Sequence, residues 1–566
     1  MIQWYRGIEA KKETVKRRII IMKKLLAMTL AVLMCVTALA SCSFGQNENE
    51  NSQESSSDVT DDSRDTSDVT EDNTDADTKT EETSGSAESD GETDTDEETQ
   101  TESEAGEDSE ATESVEDTEA EPEIEYDENG YQKDNLPEEL DFGGREINIS
   151  GWSEVENKYP EFGIKELGAN KVNNAAYLKN VAVERRLNVR LKFDTVKGWT
   201  GRGDGSGQEQ LTRVQTAAAT GDIDLIGTYS WNACTFMVNA YISNLNSVAY
   251  LELGNPWWNQ SIVEKSSIYG NVYYATGDIS SAYIGNTYAM FFNKDIAEEN
   301  GLGDIYELYD NNQWTLDRMI TMSKQVATEG VYGFATYGTA LDAFYQGSEF
   351  SLVENAPDGS LLLSDDYTSS EVHDLIGKLV DFKDTGAFFL DEKSEYLKLW
   401  NQGNALFVLT DIFNSAGFPE GNAENFGILP MPKYSEDQEA YHSLVGFYYS
   451  MYCIPRSSEG DDAVGATLEC LASESHRRVT PAYYDDLIKN RISATVKEAM
   501  MFDTVRDSVV IDSGRIFQGY IGWEIWGKFR SRITTGSKDW MSVSAELAPG
   551  FEEKITNLNM LAETLG

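Results

Sequence analysis

REINIS (145–150), AAYLKNVAVERRL (175–187) and NVRLKF (188–193) are the stretches whose reading decides the fold. The first has the period-2 apolar spacing of a half-covered strand, the second has helical spacing, and the third reads as another strand. After the glycine-rich 201–207 comes a predicted helix over 208–219, and then IDLIG (223–227), a short buried strand. Strand and helix taken in turn argue an α/β fold with a largely parallel sheet. The pattern continues downstream. NVYYA (271–275) and AMFFN (289–293) read as strands, and Thr315 opens a helix in WTLDRMITMSKQVA. Ala405–Leu409, Phe426–Leu429 and Phe447–Ile454 read as further strands. Helix patterns dominate after Asp461, one of them near Tyr483–Ile488.

Upstream of residue 140 the composition changes. Residues 43–140 carry 38 acidic and 3 basic side chains, −35 of the chain's net −54, and Tyr126 is the sole aromatic between Phe44 and Tyr131. A segment so poor in apolar groups cannot offset its ordering entropy, so residues 42–138 are expected to form a disordered acidic tether. As a flexible coil of 5–6 Å × √n, such a tether reaches roughly 50–60 Å, and self-repulsion extends it. Its carboxylates lack the D-x-D-x-D-G spacing of a calcium loop.

Before the tether, Lys23 and Lys24 precede an apolar run, Leu25–Val36, and then Leu39-Ala40-Ser41-Cys42. The run is shorter than the ~20 residues that span a bilayer. Small residues leading into a cysteine at this place read as a lipoprotein signal over 1–41, with Met22 an alternative start and Cys42 the lipidated first residue of the mature chain. Two acyl chains there would anchor it durably. Beyond the tether, only Cys234, Cys453 and Cys470 remain, an odd set that cannot staple the fold.

GDIDLIG (221–227), NPWWNQ (255–260), GNVYYATGDIS (270–280), AMFFNKD (289–295), QWTLDRM (313–319), GNALFVLTDIFN (403–414), FGILPMPK (426–433) and PAYYDDL (481–487) form a collinear series. In it, residues 136–566 resemble the family 1 extracellular solute-binding proteins, the substrate-capturing subunits of carbohydrate ABC importers. The resemblance implies a type II periplasmic-binding fold, two α/β lobes joined by hinge strands with the ligand between them. Lobe 1 would comprise about 139–279 and 441–500, and lobe 2 about 285–440 with the C-terminal helices. It further implies a mono- or oligosaccharide ligand, ABC permease subunits as membrane partners, a monomer, no cofactor, and a place on the outer face of the cytoplasmic membrane of a Gram-positive bacterium.

Loops at the carboxyl ends of strands form the crevice of doubly wound sheets, and ligands sit at domain junctions. IDLIG runs into Thr228-Tyr229-Ser230-Trp231-Asn232, the strand ending near Leu409 delivers Asp411 and Phe413, and Val445–Tyr449 brings Phe447 and Tyr448. Aromatic platforms flanked by polar groups suit the apolar faces and hydroxyl edges of sugars. Ser230, Trp231, Asp411, Phe413, Phe447 and Tyr448 are therefore candidate ligand residues, with Trp257, Trp258 and Asp278. Each has a packing alternative: Trp231 between lobes, Trp257 or Trp258 in the core, and Asp278 as the cap of a turn. Trp314, before its Thr315 cap, and Trp523 with Trp526, three apart on one helical face, read more simply as packing residues.

An enzyme is the rival class. A chain this rich in Asp and Glu supplies a glycosidase-like carboxylate pair by chance. H-E-x-x-H, G-x-S-x-G, a P-loop and paired C-x-x-C are absent from the sequence, and His373, His442 and His476 are far apart. Residues 141–566 carry about −25, which repels nucleic acid. The expected function is capture of a sugar without chemistry. A surface-displayed glycan-acting enzyme, and a sensor or adhesin, are the alternatives.

Overall fold

The structure is a computed structural model that describes residues 124–565 except 157–160, 163–166, 169–170, 201–204, 206, 392–393, 416, 419–424 and 485–494. The expected signal, the Cys42 lipidation site, most of the tether and most of the helix near 483–488 lie outside the described residues.

Among the described residues eleven strands follow in chain order. The first six are β1 (Arg145–Trp152), β2 (Val189–Val196), β3 (Leu225–Tyr229), β4 (Tyr288–Asn293), β5 (Tyr332–Thr336) and β6 (Val353–Asn355). The remaining five are β7 (Leu361–Leu363), β8 (Phe388–Leu390), β9 (Ala405–Asp411), β10 (Phe426–Leu429) and β11 (Ser450–Cys453). One sheet has the order β11-β3-β1-β2 and a second the order β10-β4-β9-β5-β8, with β6 and β7 as a separate hairpin. Every residue of β3 and of β9 is buried, as interior strands covered on both faces require.

Helix boundaries follow from local chemistry. The Thr315 hydroxyl accepts the Arg318 N–H and opens Leu316–Val326 as expected, and Asn293 and Ser280 cap Lys294–Glu299 and Ser281–Gly285 in the same way. Gly221, at φ 68°, ends Gln208–Thr220 and returns its N–H to Ala217.

The sheets are mixed rather than largely parallel. β1 runs parallel to β2 and β3, and β5 to β8 and β9, but β11 opposes β3, and β4 opposes both β9 and β10. The reversals arise where the chain crosses between sheets. It leaves the first through 271–287 and returns through 445–452, and these segments lie antiparallel, bridged at Ala275–Tyr452 and Thr287–Val445. Asn271–Ala275 is therefore not a strand but a crossing segment with isolated bridges, and the strand expected over Phe447–Ile454 shortens to Ser450–Cys453. Gly446 permits the close approach, since a Cβ there would stand 2.6 Å from the Asn286 amide nitrogen; Gly277 likewise lets the outgoing segment pass the 257–259 turn, where a Cβ would stand 2.2 Å from the Trp257 carbonyl oxygen.

Residues 124–138, expected to belong to the tether, are part of the described fold. Tyr126 pairs with Gln132, Leu136 is buried, and Arg186 donates to the carbonyls of Leu136 and Pro137. Cys234, Cys453 and Cys470 are free and buried, so disulfides do not hold the described fold. Among the described residues no helix is long and apolar enough to cross a membrane.

Candidate functional site

β2 and β3 of the first sheet and β5 and β9 of the second all end at one cleft of about 830 Å³. Beyond β2 stand Trp199 and Thr200; Tyr229 ends β3, and Trp231 follows it. From the second sheet come Tyr337 and Thr339, just after β5, and Asp411, the last residue of β9. Tyr288 opens the antiparallel β4 directly opposite Asp411, which brings it to the same edge. The crossing segments add Asn286, Phe447 and Tyr448, and the C-terminal helices add Gln518, Trp523 and Arg530.

The first-sheet wall is an aromatic cluster. Tyr448 lies 4.7 Å from Trp152 and meets Trp199 edge-on at 5.2 Å, and Trp152 lies 5.4 Å from Tyr229. Trp152 is buried behind the wall and donates its indole N–H to Ser450 Oγ at 2.8 Å. Burial pushes the Tyr229 hydroxyl up to about 12, against a hydrogen bond from Trp199 and the nearby Arg515 and Arg530, so it stays neutral and available as a donor. Trp231 opens the helix Ser230–Val238 and is half-buried, its ring close enough to Gly519 that an added Cβ would meet it at 2.7 Å.

The opposite wall is more polar. Tyr337 Oη lies 3.4 Å from both Tyr288 Oη and Asp411 Oδ2, and the Tyr337 ring stacks on Tyr396 at 5.2 Å. Asp411 accepts the Asn414 N–H at 3.0 Å and its amide at 2.9 Å, which orients the carboxylate. Burial raises the Tyr337 hydroxyl well above its ordinary value, and raises Tyr288 as well. The buried Asn286 Nδ2 has no hydrogen-bond partner among the described residues, a free donor at the crossing.

Of the sequence candidates, Trp231, Asp411, Phe447 and Tyr448 come together in this cleft. Ser230 is buried beside it and donates to the Phe447 carbonyl at 3.2 Å, tying the helix start to the returning segment. Phe413 sits in the short helix Ile412–Ser415, half-buried against the core and outside the lining. Trp257 and Trp258 are core residues instead. Both are fully buried, and their indole N–H groups donate to Glu469 at 3.1 and 3.0 Å. Asp278 also lies away from the cleft, its Oδ2 2.6 Å from His476 Nδ1.

Trp314 packs as expected and donates to the Pro430 carbonyl, whereas Trp523, read as a packing residue, lines the cleft and is 50% exposed. Trp199, Tyr288, Tyr337 and Arg530 were not among the candidates. The rule that found Trp231 reaches Trp199 at the end of β2, and Tyr337 too once β5 is recognised. Nothing local marks Arg530, which sits within the helix Glu524–Thr535.

No family model matches the sequence, and no curated protein matches it. Solved structures do. An extracellular solute-binding protein from Staphylococcus aureus, in complex with maltose, is 10% identical with a TM-score of 0.51, covering 73% of this chain and 98% of its own. A cyclo/maltodextrin-binding protein complexed with maltotetraose is 11% identical with a TM-score of 0.50, covering 73% and 97%. At such identities the likeness is one of architecture, and it establishes that this chain has the mixed α/β fold of the extracellular solute-binding proteins.

Proposed function

We propose that the protein captures a mono- or oligosaccharide in the cleft between its two sheets and delivers it, chemically unchanged, to the permease subunits of an ABC importer. The observation that carries this reading is the cleft itself, with an aromatic wall facing a tyrosine and carboxylate wall across a paired crossing. Sugar rings offer apolar faces for Trp231, Trp523 and Tyr448, and hydroxyls for Asp411, Asn286 and Thr339. The maltose and maltotetraose held by the two structural relatives agree with a ligand of this kind.

The crossing segments serve as the hinge. Residues of both sheets line the cleft, so a ligand touching both walls binds a closed arrangement better than an open one and shifts the population toward it. The closed arrangement is what the permease recognises. A diacylglyceryl group on Cys42 holds the monomer at the outer face of the membrane, and the acidic segment after it sets its reach.

Thermal melting against mono- and oligosaccharides, with peptides and polyamines as a counter-panel, tests the proposal. A ligand that binds only the native state adds RT ln(1 + [L]/Kd), about 2.7 kcal/mol at a hundredfold excess over Kd. The expected result is a shift with one group of sugars and recovery of that sugar intact. Cleavage of the sugar would make the protein an enzyme, and absence of any shift with sugars would remove carbohydrate as the ligand.

A further inference from the structure

Arg530 is set into the cleft with most of its hydrogen-bonding capacity unused. Its side chain is 18% exposed, and its Nε lies 3.2 Å from Asp342 Oδ1 without hydrogen-bond alignment. No described residue accepts a hydrogen bond from its Nη1 or Nη2. A guanidinium carries five donors in a planar fork, and a largely desolvated one needs both acceptors and compensating charge.

The compensation inside the protein falls short. Asp342 is fully buried and shared, because Arg515 Nη1 also reaches its Oδ2 at 3.1 Å. Arg515 also donates to the Val445 carbonyl at 3.1 Å and lies over the Phe447 ring at 3.5 Å, its Nε unpaired among the described residues. Two guanidiniums thus face one carboxylate, which leaves an excess positive charge at the end of the cluster that opens to the cleft. Asp411, the one carboxyl group among the described residues of the lining, accepts hydrogen bonds from Asn414 and Tyr337. Exposed charges elsewhere are screened beyond about 8 Å at physiological salt, so the cluster dominates contacts within the cleft.

Building on the sugar-capture reading, we infer that the ligand bears a carboxylate, seated on Nη1 and Nη2 of Arg530, and is therefore a uronic acid sugar. The Asp342 side of the fork is occupied, and the two terminal nitrogens present parallel N–H groups that match a planar carboxylate. Tyr229 and Trp231 then take the sugar ring to which the carboxylate belongs.

Calorimetric titration of the full chain with disaccharides of galacturonic and glucuronic acid, beside those of galactose and glucose and their sulfated forms, provides the test. The uronates are expected to bind at least tenfold more tightly than their neutral counterparts, and to weaken as salt is raised. Arg530→Gln should lose ten- to a hundredfold of uronate affinity and little of the neutral affinity. Arg530→Lys keeps the charge and loses the fork, so it should fall between, and it supplies the reading if Arg530→Gln does not fold. Neutral or sulfated sugars binding as tightly as uronates, or both variants affecting uronate and neutral sugars alike, overturns the carboxylate inference and leaves sugar capture standing. Binding of no sugar at all overturns the capture reading and, with it, this one.

Discussion

Two pairs of tryptophans make the most instructive contrast in the molecule. Trp257 and Trp258 are fully buried, and both give their indole N–H groups to the carboxylate of Glu469, which also accepts from the Asn255 amide at 2.6 Å. Trp231 and Trp523 keep part of their rings open to the cleft, and no described residue accepts their indole N–H groups. The residue type is the same and so is the sequence setting, an indole close to a helix start. What separates them is where the N–H goes. A buried donor left unpaired costs about 1–3 kcal/mol. Accordingly the core residues Trp152, Trp257, Trp258, Trp314 and Trp540 find acceptors within the protein, with buried Trp526 the exception, while a cleft tryptophan leaves its donor to solvent or ligand.

The strongest way to break this contrast is to remove the acceptor. Glu469→Ala strands two indole donors in the core and the half-buried Asn255 amide and opens a cavity, and should cost about 3–5 kcal/mol of unfolding free energy, read from urea denaturation. A loss below about 1 kcal/mol would mean that the two indoles are held by packing alone, and the distinction by N–H partner would fail. At the cleft the effect moves from stability to binding. Trp231→Ala should lower affinity for the captured sugar by about 1–2 kcal/mol, roughly five- to thirtyfold, while changing the unfolding free energy of the free protein by less than about 1 kcal/mol. Adding Asp411→Ala should deepen the affinity loss. Calorimetry and urea unfolding on the same samples separate the two effects, and a double variant that binds like the parent would take both residues out of the site.

The same contrast shows what could be read before the structure. Several strands were visible because apolar periodicity is a local property: Phe426–Leu429 appears as expected, and Arg145–Ser150 extends only to Trp152, whereas β5 to β8 were not read. Asn271–Ala275 has strand composition, yet its pairing is set by the return of the chain some 180 residues later, which no window on the sequence contains. In the site, the positions just past a strand end were legible, and Trp231, Asp411 and Tyr448 lie where that rule puts them. Trp257 and Trp258 were not distinguishable, because the residue that claims them, Glu469, is over 200 positions away. Arg530 was invisible for a related reason, since its meaning comes from sharing Asp342 with Arg515.

Glu469 also makes the contrast sensitive to pH. Burial pushes its carboxyl up to about 7, against the hydrogen bonds from Asn255 and Trp258 that pull it down. In the unfolded chain it titrates near 4.5. Between those values the native state holds a proton that the unfolded state has lost, so stability falls as pH rises from about 4.5 to 7 and is level beyond. Glu161, raised to about 7, and Asp512, raised to about 6, both by burial, act with the same sign, whereas Lys179, lowered to about 8 by burial, changes stability only at higher pH. Unfolding free energy should therefore be greater at pH 5.5 than at pH 7.5. Glu469→Gln keeps one acceptor and removes the titration, so its profile should be flatter than the parent's by on the order of 1 kcal/mol over that interval. A variant profile parallel to the parent's would show Glu469 already ionised at pH 5.5, its charge carried by the two indoles and the amide. The clamp would then hold an anion, and the gap between core and cleft tryptophans would be wider than burial alone implies.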